Sequence, residues 1–180
     1  MKSLVVFLIL LCPYLAQGQI DSTAINQTDE KGLRQGLWGE KTHFSIDSVH
    51  YKDGKREGVL RRYTKSGSLW VIMNFRAGEV VGTTQSFRGG RLYTEELDRG
   101  TNTETVQHDE LNYKLTPPKY SYVKLYDHKE GYLKAEGKYL YSEDWQMDTS
   151  RRHGKWLFYN EKGQVIETRV YHYGRVQEPK

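Results

Sequence analysis

Alternation of apolar and polar residues is the main pattern along this chain. From residue 68 to residue 75, every second side chain is large and apolar: Leu69, Val71, Met73 and Phe75. A two-residue period that is rich in β-branched and aromatic side chains is typical of a strand that packs one face against a core. No long segment shows the 3.6-residue period of an amphipathic helix. The pattern therefore predicts an all-β fold.

Glycines separate these strands at fixed spacings. Two sets of glycines are each nine and then eleven residues apart, namely Gly58, Gly67 and Gly78, and Gly154, Gly163 and Gly174. Apolar residues follow at matching offsets in both sets, where Leu60 corresponds to Trp156, Tyr63 to Tyr159, Leu69 to Val165, and Phe75 to Tyr171. Coincidences at so many positions indicate an internal repeat.

Pairs of glycines four residues apart define the unit of this repeat. They are Gly32 and Gly36, Gly54 and Gly58, and Gly78 and Gly82. Glycine at a fixed offset indicates a backbone position with positive φ, where a Cβ atom would be strained. Each unit is then a strand, a turn with one glycine, a second strand and a turn with a glycine pair. Such units in series predict an antiparallel meander of β-hairpins.

The repeat divides the chain into two blocks. We assign residues 31–92 to the first block and residues 120–176 to the second, preceded by a flexible lead-in over 19–30 and followed by a tail over 177–180. Residues 93–119 are polar, acidic at first and end in Thr116-Pro117-Pro118, so we expect a loop or linker. A second insertion, 142–152, carries Trp145 and Met147, which either pack against the sheet or form part of a contact surface.

The first 18 residues predict a cleaved signal peptide. Lys2 is followed by an apolar run from Leu4 to Leu11, and Ala16-Gln17-Gly18 offers small residues before a cut at Gln19. The run is too short for a membrane-spanning helix, which needs about 20 apolar residues. We therefore expect an exported protein that is periplasmic, secreted or surface-associated. Its mature chain would contain no disulfide, because Cys12 is the only cysteine.

The repeat pattern Gly-x-Trp-x-x-Tyr-x-x-x-Gly-x-Val resembles the MORN repeat, and it is most similar to the bacterial variant of exported proteins, in a family often labelled antitoxin-like. The resemblance implies an elongated sheet of hairpins that acts in scaffolding, or in contacts with proteins or lipids. Two units depart from the pattern, since Thr84 stands where Trp or Leu is expected and Ser45 where Gly is expected. The structural repeat positions are Gly36, Trp38, Gly58, Leu60, Tyr63, Gly67, Gly78, Gly82, Phe87, Gly154, Trp156, Tyr159, Gly163 and Gly174.

The sequence contains no recognisable catalytic, cofactor-binding or metal-binding motif. None of the six histidines stands in an H-E-x-x-H motif, and we expect each of them, including His153 and His172, to be solvated. The serines lack the G-x-S-x-G context of a nucleophile. We therefore expect a protein that is not an enzyme, and a core role for the recurring residue Trp156.

The net charge says little about partners. The formal charge is +4, or +3 without Lys2, and it is spread along the chain, whereas a nucleic-acid-binding protein would gather its basic residues on one face. We do not expect a nucleic-acid partner or a transmembrane segment in the mature chain. Two functions remain open: a scaffold that contacts another protein in the cell envelope, and a module that binds envelope lipid or glycan through aromatic and basic side chains.

Overall fold

A computed structural model describes residues 25–108, 113–117, 119–144 and 147–177. The predicted signal peptide, Trp145 and the last three residues lie outside these ranges. The described residues form fourteen β-strands and contain no helix that could span a membrane. In chain order the strands are β1 (Gln27–Thr28), β2 (Arg34–Lys41), β3 (Ser45–Lys52), β4 (Lys55–Thr64), β5 (Leu69–Arg76), β6 (Glu79–Arg88), β7 (Arg91–Thr101), β8 (Val106–His108), β9 (Tyr113–Leu115), β10 (Lys119–Tyr126), β11 (Leu133–Asp144), β12 (Met147–Tyr159), β13 (Val165–His172) and β14 (Arg175–Val176).

Twelve of the described strands form one open antiparallel sheet in chain order. The order runs from β1 to β7 and then from β10 to β14, while β8 and β9 pair separately. Every strand of the large sheet is hydrogen-bonded to the strand that precedes it in this order. The predicted all-β antiparallel meander is therefore confirmed.

Four of the hairpins turn on two residues that both have positive φ, and one of these turns is Gly89-Gly90 between β6 and β7. In the other three, glycine follows a residue of another type. The dipeptides Asp53-Gly54, Ala77-Gly78 and Tyr173-Gly174 have φ values of 50° and 75°, 51° and 93°, and 46° and 96°. The residues on either side of each dipeptide pair directly across the hairpin. Positive φ at both central positions defines a type I′ turn, whose twist matches that of the strands. The predicted positive φ is thus confirmed at Gly78 and Gly174.

A second kind of turn ends at a single glycine. The Gly67 amide donates to the Thr64 carbonyl at 2.9 Å, and the Gly163 amide donates to the Asn160 carbonyl at 3.0 Å. Gly32 and Asp29 repeat the same bond at 2.9 Å. Strand β1 and the first two residues of this turn lie within residues 19–30, so the predicted flexible lead-in is wrong for its last four residues.

A β-bulge begins at the glycine of three of the repeats. In β4, the three residues from Gly58 to Leu60 lie between the paired residues Glu57 and Arg61, and only Val49 lies opposite them in β3. In β12, residues 154–156 lie opposite Gly137 alone, and in β6 residues 82–84 lie opposite Met73 alone. Gly58, Gly82 and Gly154 all have positive φ, between 64° and 74°.

The bulge buries the residue two positions after the glycine. Trp156 is fully buried, Leu60 is 1% exposed and Thr84 is 6% exposed. Each of them lies across from the single residue opposite its bulge, so a large side chain in one strand requires a small one in the other. The predicted core role of Trp156 agrees with this burial.

The buried apolar residues form three clusters. The first cluster is Val49, Tyr51, Leu60 and Phe75, the second is Val123, Ala135, Trp156 and Tyr171, and the third is Val106, Leu140 and Tyr173. Tyr139 packs on Trp156, whereas its neighbour Leu140 belongs to the third cluster. Since consecutive strand residues point to opposite faces, the second and third clusters lie on opposite faces of the sheet.

Residues 93–119 differ from the expected loop or linker. Strand β7 continues to Thr101 and pairs with both β6 and β10, so it joins the two repeat blocks into one sheet. Its acidic residues have partners in the neighbouring strands: Glu95 accepts from Tyr126 at 2.6 Å, and Glu96 accepts from Tyr141 at 2.8 Å. Charged residues with such partners can occupy a strand. The polar composition of this segment was therefore a poor guide to its structure.

The second insertion is also largely strand. Ser142 pairs with Thr149 and Asp144 pairs with Met147, so these residues lengthen the β11–β12 hairpin.

Substitution of Gly137 tests the fit beneath Trp156. A Cβ atom at residue 137 would lie 2.4–2.6 Å from the Trp156 ring. Gly137→Ala should therefore lower the free energy of unfolding by about 1–3 kcal/mol, measured by denaturant unfolding. Gly39→Ala is the control, since nothing lies within 4 Å of its added Cβ, and it should change stability by less than about 0.5 kcal/mol. Equal stability of the two variants would show that Trp156 does not pack as described.

Substitution of Thr84 tests the departure from the repeat pattern. Its buried hydroxyl has no hydrogen-bond partner among the described residues. Thr84→Val removes that hydroxyl at nearly constant shape and should raise the free energy of unfolding by about 1 kcal/mol. Thr168→Val, at an exposed position in β13, should have little effect. A loss of stability in Thr84→Val would mean that the hydroxyl is hydrogen-bonded in solution.

Candidate binding site

An arginine precedes the repeat glycine by two residues in three of the repeats, at Gly36, Gly58 and Gly154. The guanidinium of Arg34 lies 5.1 Å from the ring centroid of Tyr51, that of Arg56 lies 5.5 Å from Phe75, and that of Arg152 lies 5.4 Å from Tyr171. Two of these arginines also lie over the tryptophan two positions after the glycine, Arg34 at 4.4 Å from Trp38 and Arg152 at 4.6 Å from Trp156. The sequence carried this signal at a constant offset of minus two, and our sequence analysis missed it.

A carboxylate neutralises these arginines in the first block. Glu40, four residues after Gly36, forms ion pairs with both Arg34 and Arg56, the latter at 3.2 Å. The Tyr51 hydroxyl donates to Glu40 Oε1 at 2.7 Å and accepts from Arg34 at 3.1 Å. The guanidinium groups of Arg34 and Arg56 and the hydroxyl of Tyr51 thus form one network around the Glu40 carboxylate.

The pKa of Glu40 records this environment. Burial opposes ionisation of the carboxyl group, but the Tyr51 hydroxyl and the guanidinium groups of Arg56 and Arg34 hold its pKa below the ordinary value. Glu40 therefore stays ionised at neutral pH, and the network retains its charge balance.

The same position in the second block has no carboxylate. Phe158 stands four residues after Gly154, where Glu40 stands after Gly36. Arg152 keeps the hydrogen bond to the ring hydroxyl, which it makes to Tyr171 at 3.1 Å. The ion pairs of the described residues do not include Arg152. Phe158 instead packs beneath its guanidinium, 5.5 Å away.

Arg152 lines a pocket of about 260 Å³ on the face of the second cluster. The pocket also contains Arg88 and Lys134, against one carboxylate, that of Asp127. This carboxylate already accepts hydrogen bonds from the backbone amides of Lys129 and Glu130, at 2.8 and 2.9 Å. The remaining walls are aromatic or apolar: Tyr93, Leu125, Tyr126, Ala135 and Phe158, with His128 at the edge. The pocket is positively charged and can accept a negatively charged group beside aromatic rings.

The structure places the sequence-predicted repeat residues in two roles. The glycines at 36, 58, 67, 78, 82, 154, 163 and 174 all have positive φ. Leu60 and Trp156 lie in the core, and Trp38 packs against the first cluster. The aromatic residues at plus five, Tyr63, Phe87 and Tyr159, are only partly buried. Among these residues, the ring of Trp156 lies beneath the Arg152 guanidinium, and the Gly174 amide donates to the Arg152 carbonyl at 2.7 Å.

His153 was expected to be solvated, and this expectation is wrong. It is 7% exposed, and its Nε2 atom lies 3.0 Å from Glu104 Oε1. Its ring centroid lies 5.6 Å from that of His172. Burial holds the pKa of His153 below the ordinary value, despite the attraction of Glu104. The strand alternation that turns Arg152 toward the pocket turns His153 to the opposite face. His43, His50 and His128 are exposed, as expected.

Comparisons with known proteins do not identify this chain. No family model, curated protein or solved structure matches it. The resemblance to the MORN repeat is therefore still a prediction that rests on the sequence pattern.

Substitution of Glu40 tests the network of the first block. Glu40→Gln should lower the free energy of unfolding at pH 7 by about 1 kcal/mol, a value reduced for the partial exposure of both arginines. The pKa of Glu40 is depressed in the folded state, so this contribution is present above the unfolded pKa and is lost as the pH falls through the folded pKa. The difference between wild type and variant should accordingly shrink in acid.

The control for this experiment is Glu161→Gln, in an exposed turn. Denaturant unfolding of the three proteins at neutral and acidic pH gives both comparisons. A Glu40→Gln variant as stable as Glu161→Gln at pH 7 would contradict the role assigned to the network.

Proposed function

We propose that this protein is an exported, non-enzymatic repeat scaffold that binds a protein partner in the cell envelope, and that Arg152 receives a carboxylate group of that partner. The observation that supports this most directly is the missing counterion. Two of the three equivalent arginines share Glu40, whereas Arg152 faces an open pocket with Phe158 at the corresponding position.

The chemistry of the pocket favours an anionic group that is flat and able to accept two hydrogen bonds. A guanidinium that lies over aromatic rings keeps its N–H donors in its own plane, where a carboxylate can accept two of them side by side. The ligand carboxylate would take the place that Glu40 has in the first block. Its negative charge would also be attracted by Arg88 and Lys134.

The size of the pocket favours a side chain of a protein over a whole small molecule. At about 260 Å³ it is slightly smaller than ordinary ligand pockets, which measure roughly 300–1,000 Å³. An Asp or Glu side chain, or a terminal carboxylate, enters such a site while the rest of the partner stays on the surface of the sheet. This argument favours the protein partner over a lipid or glycan.

The single sheet suits such a contact because much of it is exposed. Near its carboxyl-terminal edge, Val165 is 51% exposed, Ile166 65% and Val170 49%. Exposed apolar residues on an open sheet are available to a protein interface. Their exposure supports the scaffold hypothesis.

The test measures binding of a fluorescent Glu-rich peptide and of the same peptide with Gln in place of Glu. The wild type should bind only the Glu peptide, and Arg152→Gln should weaken that binding by about ten- to a hundredfold, as expected for the loss of a charged hydrogen bond. Arg61→Gln, at an exposed position in β4, should leave the affinity unchanged.

A second variant places a carboxylate inside the protein. Phe158→Glu copies the Glu40 position, so its side chain should pair with Arg152 and compete with the peptide, whereas Phe158→Gln removes the ring without supplying charge. Weaker binding in Phe158→Glu than in Phe158→Gln supports the proposal. Equal affinity of wild type, Arg152→Gln and Phe158→Glu would overturn it.

Vesicles of phosphatidylglycerol and phosphatidylcholine separate the protein partner from the lipid alternative. Vesicle binding that disappears in Arg152→Gln and with rising salt, in the absence of peptide binding, would assign the pocket to an anionic lipid.

A further inference from the structure

Three side chains from separate parts of the chain meet on the face opposite the Arg152 pocket. They are Glu104, in the segment between β7 and β8, His153 in β12, and His172 at the end of β13. One potential ligand atom from each lies within 4.8 Å of those from the other two. His153 is buried, His172 is partly buried and the Glu104 side chain is 47% exposed.

The segment that carries Glu104 is held against the sheet. Asn102 is buried, and its side-chain amide donates to the carbonyls of Glu104 at 2.9 Å and Pro117 at 2.8 Å. Two residues beyond Glu104, Val106 is 1% exposed and packs with Leu140 and Tyr173. Glu104 is thus fixed from both sides, and its position next to His153 follows from the fold.

We propose that Glu104, His153 and His172 form a binding site for a divalent transition-metal ion, and that zinc is the ion this set of ligands suits best. Two imidazoles and one carboxylate are a ligand set that zinc uses in proteins, with a water molecule as the fourth ligand. The inference does not depend on the proposed function, because these residues and the Arg152 pocket lie on opposite faces of the sheet.

The distances fit zinc after small movements of the side chains. Zinc bonds of about 2.0–2.2 Å place the ligand atoms of a tetrahedral site roughly 3.3–3.5 Å apart. His153 Nε2 and Glu104 Oε1 are 3.0 Å apart, close to that separation. His172 has to approach them, and as a partly buried residue at the end of a strand it can do so by rotation of its side chain.

Binding also requires a shift of one ring proton. His153 Nδ1 accepts a hydrogen bond from the Tyr173 amide at 3.3 Å. Without metal, Nε2 therefore carries the ring proton and donates a hydrogen bond to Glu104. A metal ion at Nε2 requires the neutral imidazole to carry its proton on Nδ1. This ends the hydrogen bond from Tyr173, which at 3.3 Å exceeds the usual range of about 2.7–3.2 Å. The bonds to zinc outweigh the loss of that contact.

A bound ion would tie the segment that carries Glu104 to strands β12 and β13. Because the site requires the folded arrangement of three distant residues, zinc should bind the native state far better than the unfolded chain. It should therefore raise the thermal unfolding midpoint in a concentration-dependent way.

The experiment titrates zinc chloride into the metal-free, untagged protein by calorimetry. Wild type should bind one equivalent, and Glu104→Gln and His172→Gln should each weaken the binding by about tenfold or more, since each removes a ligand. His50→Gln, which removes an exposed histidine of β3 in the first block, should bind as wild type does. Circular dichroism of each variant without metal confirms that the fold is kept.

Cobalt provides a second measurement that does not depend on stability. Wild type with one equivalent of cobalt should show the visible absorption of a tetrahedral site, which should be absent in His172→Gln. Absence of saturable zinc binding overturns the proposal. So does zinc binding with undiminished affinity in both ligand variants, which would assign the metal to scattered surface carboxylates and histidines.

Discussion

The β-bulge that begins at a positive-φ glycine determines much of this structure. In a regular antiparallel pair, each residue of β12 would lie opposite one residue of β11. The bulge instead sets three residues of β12 opposite Gly137 alone and buries Trp156 completely. A side chain with a Cβ atom at residue 154 would be strained at this φ of 67°. The backbone conformation therefore comes first, and the burial of the aromatic residue depends on it.

The bulge also couples the sizes of two side chains that are distant in sequence. Leu60 lies opposite Val49, Thr84 opposite Met73, and Trp156 opposite Gly137. The largest bulge residue faces the smallest partner, and the smallest faces a large one. Thus Thr84, which departs from the sequence pattern, lies in a bulge opposite a larger residue, Met73.

A uniform repeat allows one changed position to create a site. In the first block, the carboxylates of Glu40 and the buried Asp47 pair with Arg34, Arg56 and Arg62. In the second block, Phe158 occupies the position of Glu40, and Arg152 keeps its aromatic contacts without that carboxylate. The packing is retained while the charge balance is not, so the second block has a cation available to a ligand.

The sequence predicted the fold well and the sites poorly, for physical reasons. Strand alternation and glycine spacing are local properties, so the hairpins, the positive-φ glycines and the burial of Trp156 followed from them. The continuation of β7 was missed because Glu95 and Glu96 accept hydrogen bonds from Tyr126 in β10 and Tyr141 in β11, which lie far away in the sequence. The cluster around His153 was missed because Glu104 lies nearly fifty residues away in the chain.

The two candidate sites occupy consecutive residues of one strand. Arg152 lies beside Trp156 on one face of β12, and His153 lies beside Glu104 on the other. Gly154 follows immediately and begins the bulge that buries Trp156. Because neighbouring strand residues point to opposite faces, each site can change its chemistry without a change in the side chains of the other. Both depend on the same backbone, however, so a loss of the bulge at Gly154 would displace the pocket and the histidine cluster together.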